Sequence, residues 1–319
     1  MSAEIFGIIS RMLPQSVSLN EAIAGALNIS YDAAHRRTSG KSKISLSEGL
    51  RLAAHFNFSL DALQKDQINR VAVEKTPIIS TAKELEYYFK QSAISVRQLT
   101  QLEDVMMYYS AKDIPIFYLL EGNMLTRFKI YVWLRLLSHD AENVAFDNFN
   151  LPLSTLEAAK ELGKLYAPIS KTEIWDTTTF NSTLKQIHFY FEAGLLNAAA
   201  AKSLCDELMH LVNSVKTASV ASEKFKLYHN ELLLMNNTVL ITSKHRNAFY
   251  VPFTFLSYFL AIDPITCKQA DSYLQRQLSK SVLINTTGER ARNIFFDRIE
   301  KRINALKQLV SAAEVLDFE

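Results

Sequence analysis

Apolar positions in the first sixty residues recur at helical spacing in short bursts, each broken by a polar cap. In "SLNEAIAGALNIS" (18–30), Ser18 followed three residues later by Glu21 is the capping-box signature of a helix start. Ala22, Ile23, Ala26 and Leu27 then share one stripe. Ser30 is placed to cap "YDAAHRR", Asp32 suits the positive end of that helix, and Gly40 closes it. "ISLSEGLRLAAHFNFSLDAL" follows, with Leu46, Leu50, Ala53, Ala54 and Leu60 near helical spacing and Asn57 as a stop. Three or four short helices are expected.

Residues 64–80 lose this rhythm near Pro77, so the expected organisation is a first domain at 1–70, a linker at 71–80 and a second domain at 81–319. From 83 to 230 nearly every segment reads as helix. Val96, Leu99, Leu102, Val105, Met106 and Tyr109 fall on one helical face, as do Leu184, Ile187, Phe191 and Leu195. Leu204, Leu208, Leu211 and Val215 form a seam for another helix of this chain or of a second copy. At 231 the pattern changes: "ELLLMNNTVLIT" has two apolar runs around Asn236-Asn237, a pair suited to a hairpin turn, and "NAFYVPF" adds a third strand with Pro252 at its end or on an edge. The last helix buries Phe295, Ile299, Ile303, Leu306 and Val310 and turns Arg290, Arg292, Arg298, Lys301 and Arg302 mainly outward.

Composition is that of a folded chain, with 48% hydrophobic and 21% charged residues. The formal net charge of +2 means that attraction to a polyanion has to come from a local patch. Cys205 and Cys267 form neither a CxxC pair nor a zinc spacing, which points to a reducing compartment, the cytoplasm. The most apolar run, "YVPFTFLSYFLAI" at 250–262, is too short for a bilayer span and reads as core, so no membrane partner is expected. Phosphate loop, dinucleotide fingerprint and HExxH are absent, and the histidines pair at no metal spacing. No catalytic residue, metal or cofactor is expected, and the chain reads as a non-enzyme.

A local patch does exist. Between residues 35 and 51, Arg36, Arg37, Lys41, Lys43 and Arg51 face a single acid, Glu48. A helix, a tight turn and a second short helix followed by a glycine and a basic loop is the plan of a helix-turn-helix. Ala24 is small enough for a close crossing, Ile29 plugs the turn, and Leu27 and Ala34 complete a miniature core.

The stretch from Ala22 to Leu63 resembles the lambda-repressor-like, or xenobiotic-response-element, family of helix-turn-helix domains. The resemblance is carried by "IAGALNIS" at 23–30, "RRTSGK" at 36–41 and "SLSEGLRLAAHFNFSLDAL" at 45–63. Asn28 stands where that family usually has glycine, and Asn20 is the nearest equivalent of the glutamine that usually opens the first helix. The resemblance implies double-stranded DNA as partner, with the helix near 30–38 in the major groove. Candidate DNA-binding residues are Asn20, Ser30, Tyr31, Asp32, His35, Arg36, Lys41, Ser42 and Lys43. Arg36 is suited to a guanine and the lysines to phosphate. Asp32 suits either a cytosine or its own helix cap.

The expected fold class is therefore mainly α: an N-terminal lambda-repressor-like bundle plus a larger helical domain with a small antiparallel β hairpin or meander near 231–253. This layout resembles that of large one-component bacterial transcriptional regulators, which implies a homodimer and a small-molecule effector of unidentified chemistry. The aromatic-rich segments "ELEYYFK", "FKIYVWL" and "IHFYF" suit either an ordinary core or an apolar pocket. The alternative reading is a protein-interaction scaffold that uses the helix-turn-helix as a docking module.

Overall fold

The computed structural model describes residues 2–14, 17–56, 58, 60, 71–138, 144–232, 236–254 and 256–315. The chain divides into two compact units, Met1–Ala72 and Val73–Glu319.

The first unit contains α1 (Ser2–Met12), α2 (Leu19–Leu27), α3 (Tyr31–Thr38) and α4 (Leu46–His55). Its core is small: Ile5, Phe6 and Ile9 of α1 close over Ile23, Leu27, Ala34 and Leu52. Ser18 precedes α2 as its N-cap residue but makes no side-chain cap, whereas Ser45 and Glu48 form a complete capping box at α4. The expected apolar stripe on α4 is rotated. Gly49, Leu52 and Ala53 are buried, while Leu46 is 75% and Leu50 56% exposed. The expected stop at Asn57 lies outside the described residues; α4 ends at His55.

The second unit overturns the mainly α expectation. Its helices are α5 (Ala82–Thr100), α6 (Met124–Leu137), α7 (Leu153–Lys164), α8 (Asn181–Glu192), α9 (Ala198–Ala221), α10 (Pro264–Ser279) and α11 (Glu289–Val315). They pack on a mixed sheet of eight strands: β1 (Glu74–Lys75), β2 (Met106–Ala111), β3 (Lys171–Trp175), β4 (Phe225–His229), β5 (Thr238–Thr242), β6 (Ala248–Thr254), β7 (Ser257–Ala261) and β8 (Val282–Leu283). The order across the sheet is β1-β7-β6-β5-β2-β3-β4-β8. β2, β3 and β4 are parallel, joined through α6–α7 and α8–α9; every other pairing is antiparallel.

The physical reason for the miss is burial on both faces. A strand covered on each side loses its period-two alternation and cannot be told from a short helical segment. In β3 all five residues of "KTEIW" are buried, and Met106 to Tyr109, expected to continue a helix, form β2 after α5 ends at Thr100. The expected hairpin at Asn236-Asn237 is corrected too: β5 begins just after it and pairs with β2 and β6, not with a strand from the preceding run. Pro252 lies within β6 at a register irregularity. Residues 71–80, expected as a linker, contribute the edge strand β1 and the buried Ile79.

One face of the sheet carries the large core, in which the seam of α9 is covered by α11 of the same chain through Phe295, Ile299, Ile303 and Val310. Aromatic rings mostly fill this core; Phe128, Tyr131, Phe146 and Tyr190 contact one another at 5.2–6.5 Å between centroids. The other face is covered by α10, whose Cys267, Ala270 and Leu274 meet Ile174 and Leu240. Among the described residues no helix is long and apolar enough to cross a membrane.

Candidate nucleic-acid interface

The geometry of α2 and α3 follows from two residues in the turn between them. Asn28 adopts the left-handed conformation at φ 53°, ψ 53°, which asparagine tolerates better than most residues, and this lets Ile29 N–H return to the Ala24 carbonyl at 3.1 Å. Ser30 then accepts from Ala33 N at 3.3 Å and starts α3. Gly40 at φ 77° turns the chain out of α3, and Ser42 N–H donates back to the Arg36 carbonyl at 2.9 Å.

Arg37 and Glu48 lock α3 to α4. Arg37 donates through Nε at 2.9 Å and Nη2 at 2.6 Å to Glu48 Oε1, and through Nη1 to the Ala33 carbonyl at 3.0 Å. Hydrogen bonds from Arg37 and from the Ser45 amide hold the Glu48 carboxyl below its ordinary pKa. The two charges stand 11 residues apart in sequence, where nothing local pairs them. Their pairing cancels one charge of each sign and leaves Arg36, Lys41, Lys43 and Arg51, all exposed.

Asn20 does something else than donate freely. Its Oδ1 accepts from Thr38 Oγ1 at 2.6 Å and its Nδ2 approaches Tyr31 Oη at 3.3 Å and His35 Nδ1 at 3.4 Å. It therefore sets the positions of Tyr31 and His35 on the outer face of α3, both of which are exposed. Asp32 and Arg36 are exposed beside them and make no side-chain ion pair or hydrogen bond among the described residues. Ser30 is exposed with its hydroxyl engaged in the cap. Ser42 is the exception among the expected contacts: the residue is half-buried and its hydroxyl oxygen is buried with no partner among the described residues, so that hydroxyl does not stand with Lys41 and Lys43 on the surface.

The arrangement brings Tyr31, Asp32, His35 and Arg36 onto one helix, with two lysines in the loop that follows. Thr38 was not singled out from sequence and gains its place through the hydrogen bond to Asn20, while Arg51, counted in the basic patch but not among the expected contacts, is exposed. The basic residues of α11 offer less, since Arg298 pairs with Glu231 at 2.7 Å and Arg302 donates to Asn181 Oδ1 and the Thr177 carbonyl. Among the described residues no group of three or more histidine, cysteine or acidic side chains is placed to hold a metal. No family model, no curated protein and no solved structure matches the chain.

Proposed function

We propose that the chain is a sequence-specific, DNA-binding transcriptional regulator that reads the major groove with α3. The observation that carries this reading is the pair of exposed side chains Asp32 and Arg36 on α3, which have no partner among the described residues, beside Lys41 and Lys43, while the half-buried Arg37 of the same patch is neutralised by Glu48. Free cations next to a short exposed helix supply counterion release, and the helix supplies base contacts. Tyr31 and His35, held by Asn20, and Arg36 reach base edges; Lys41 and Lys43 reach phosphates.

So few contacts give one domain little affinity, so the regulator acts as a homodimer on two half-sites about one helical turn apart. The second unit provides the dimer contact and senses a small molecule. On this reading the protein works in the cytoplasm.

A second reading, a protein-docking module, is favoured by one feature: Leu46 and Leu50 stand exposed one turn apart on α4, close in sequence to the basic loop. Fluorescence anisotropy on a random-sequence duplex at low salt separates the two. DNA binding by the full chain that is abolished in a Lys41→Glu, Lys43→Glu double variant supports the regulator. Absence of binding by the folded wild-type chain favours the docking module.

A further inference from the structure

Open α/β sheets place ligand crevices outside the carboxyl ends of their parallel strands. In the second unit β2 is the strand at which the sheet changes from parallel, toward β3, to antiparallel, toward β5. A half-open cavity of about 310 Å³ lies at its carboxyl end. The wall combines apolar and aromatic side chains, including Tyr109, Trp133, Leu256 and Tyr258, with the polar Lys112, Asp113, Asn236, Asn237 and Thr254.

Into this wall the fold builds a charge. Lys129 is 2% exposed, yet it lines the cavity. Its Nζ donates to Gln186 Oε1 at 2.7 Å and Thr183 Oγ1 at 3.2 Å, both neutral acceptors, and it lies 5.9 Å from the Trp133 ring. An ammonium has three protons, and no carboxylate among the described residues stands within ion-pair distance of this one. The acid of the same cavity, Asp113, accepts instead from the Ile114 amide at 2.9 Å, and the Asp113 amide donates to Asn237 Oδ1 at 2.8 Å.

A buried cation with no carboxylate in ion-pair contact among the described residues is costly to the fold, and burial lowers the Lys129 pKa although the more distant Asp113 charge acts the other way. A leucine or methionine would fill the same space at less cost. A lysine in a ligand-sized, aromatic-walled cavity is accounted for by an anion that enters from solvent. Lys112, exposed at the mouth, offsets the charge of Asp113, so the lining carries one net positive charge, at the buried Lys129; that suits one carboxylate with an apolar body better than a phosphate, which needs several donors. At interior packing density the space holds on the order of ten to fifteen non-hydrogen atoms.

We propose that this cavity binds a small amphiphilic monocarboxylate, its carboxylate paired with Lys129 and its apolar body against Trp133 and Tyr109. Its role as the effector site rests on the regulatory reading above; its existence as a binding site does not.

Calorimetric titration of the full chain, without DNA, with phenylacetate and with hexanoate tests it, using phenylacetamide as the uncharged control and inorganic phosphate as the competing anion. Saturable binding of a carboxylate, at least about tenfold weaker for the amide and in a Lys129→Met variant, is the expected result. Trp133 supplies a second readout that needs no change at Lys129: the carboxylate changes the fluorescence of the wild-type chain, and a Trp133→Phe variant, which keeps Trp175, loses that response. Absence of saturable carboxylate binding up to about 10 mM, the weak end of specific affinity, overturns the proposal. Equal binding of acid and amide, or tighter binding of phosphate, overturns it as well. Because no DNA is present, the outcome stands apart from that of the DNA-binding tests.

Discussion

At the scale of single residues, the candidate interface divides into side chains that read and side chains that hold. Arg36 is exposed on α3 and has no side-chain partner among the described residues. Arg36→Ala is expected to weaken binding to the selected operator by about 1–3 kcal/mol and to relax preference at one base pair, checked by anisotropy on a set of single-base variants. Lys43→Ala is expected to weaken all sequences alike and to lower the salt slope by roughly 0.9. An equal loss on every sequence for Arg36, or an unchanged slope for Lys43, contradicts those roles. Arg37 belongs to the holding class. Glu48 is depressed in the fold by the Arg37 hydrogen bonds and the Ser45 amide, so its contribution to stability is present above the unfolded carboxylate range and is lost as pH falls through the folded value. Arg37→Ala is expected to cost the first unit about 1 kcal/mol near neutral pH and less in acid, where the wild type has lost the same contribution, as read by urea unfolding at both pH values. A pH-independent difference would place the effect in packing of the arginine stem. Of this site the turn at Asn28, the Ser30 cap and the exposed α3 residues were legible in sequence, because they depend on neighbours three or four positions away. The Arg37–Glu48 lock and the Asn20–Thr38 bond span 11 and 18 residues and became visible only once α2, α3 and α4 were packed together.

At the scale of elements, the helices with one wet face were legible and the covered strands were not. α9 and α11 follow their apolar periodicity closely, and each seam expected on them is buried. β3 defeats the same reasoning because it carries Lys171 and Glu173 inside the protein. Glu173 is fully buried and accepts from Tyr166 Oη at 2.6 Å, Tyr118 Oη at 2.7 Å and Trp175 Nε1 at 2.7 Å, while Lys171 Nζ caps the Tyr166 carbonyl at 2.8 Å. Apart from Trp175, which belongs to β3 itself, those partners come from two segments outside the strand, so charged residues that look solvated in sequence are satisfied in the core. The rotated face of α4 is a smaller case: Gly49 is one of its buried positions, and a glycine adds nothing to a hydrophobic stripe. A close approach fixes α7. A Cβ on Gly163 would lie 2.5 Å from the Leu120 carbonyl oxygen, so Gly163→Ala is expected to destabilise the second unit by about 1–3 kcal/mol despite alanine's better helix propensity. A stabilised variant in chemical unfolding would show that α7 can shift away from the turn at Ile116–Leu119 without loss.

At the scale of the whole molecule, a small helical unit with a basic, exposed helix is followed by an α/β unit several times its size. The division of labour proposed for them is recognition of DNA by the first and dimerisation with ligand sensing by the second. Sequence bounded this scale poorly, since a net charge of +2 conceals a patch confined to α3, α4 and the loop between them. Selection of random duplex DNA by the purified full-length chain, followed by titration of the winning sequence at two salt concentrations, tests the central claim most directly. The account predicts enrichment of a palindromic motif, with half-sites about one helical turn apart and an affinity that falls steeply with salt. No enrichment by the folded, soluble chain would contradict it.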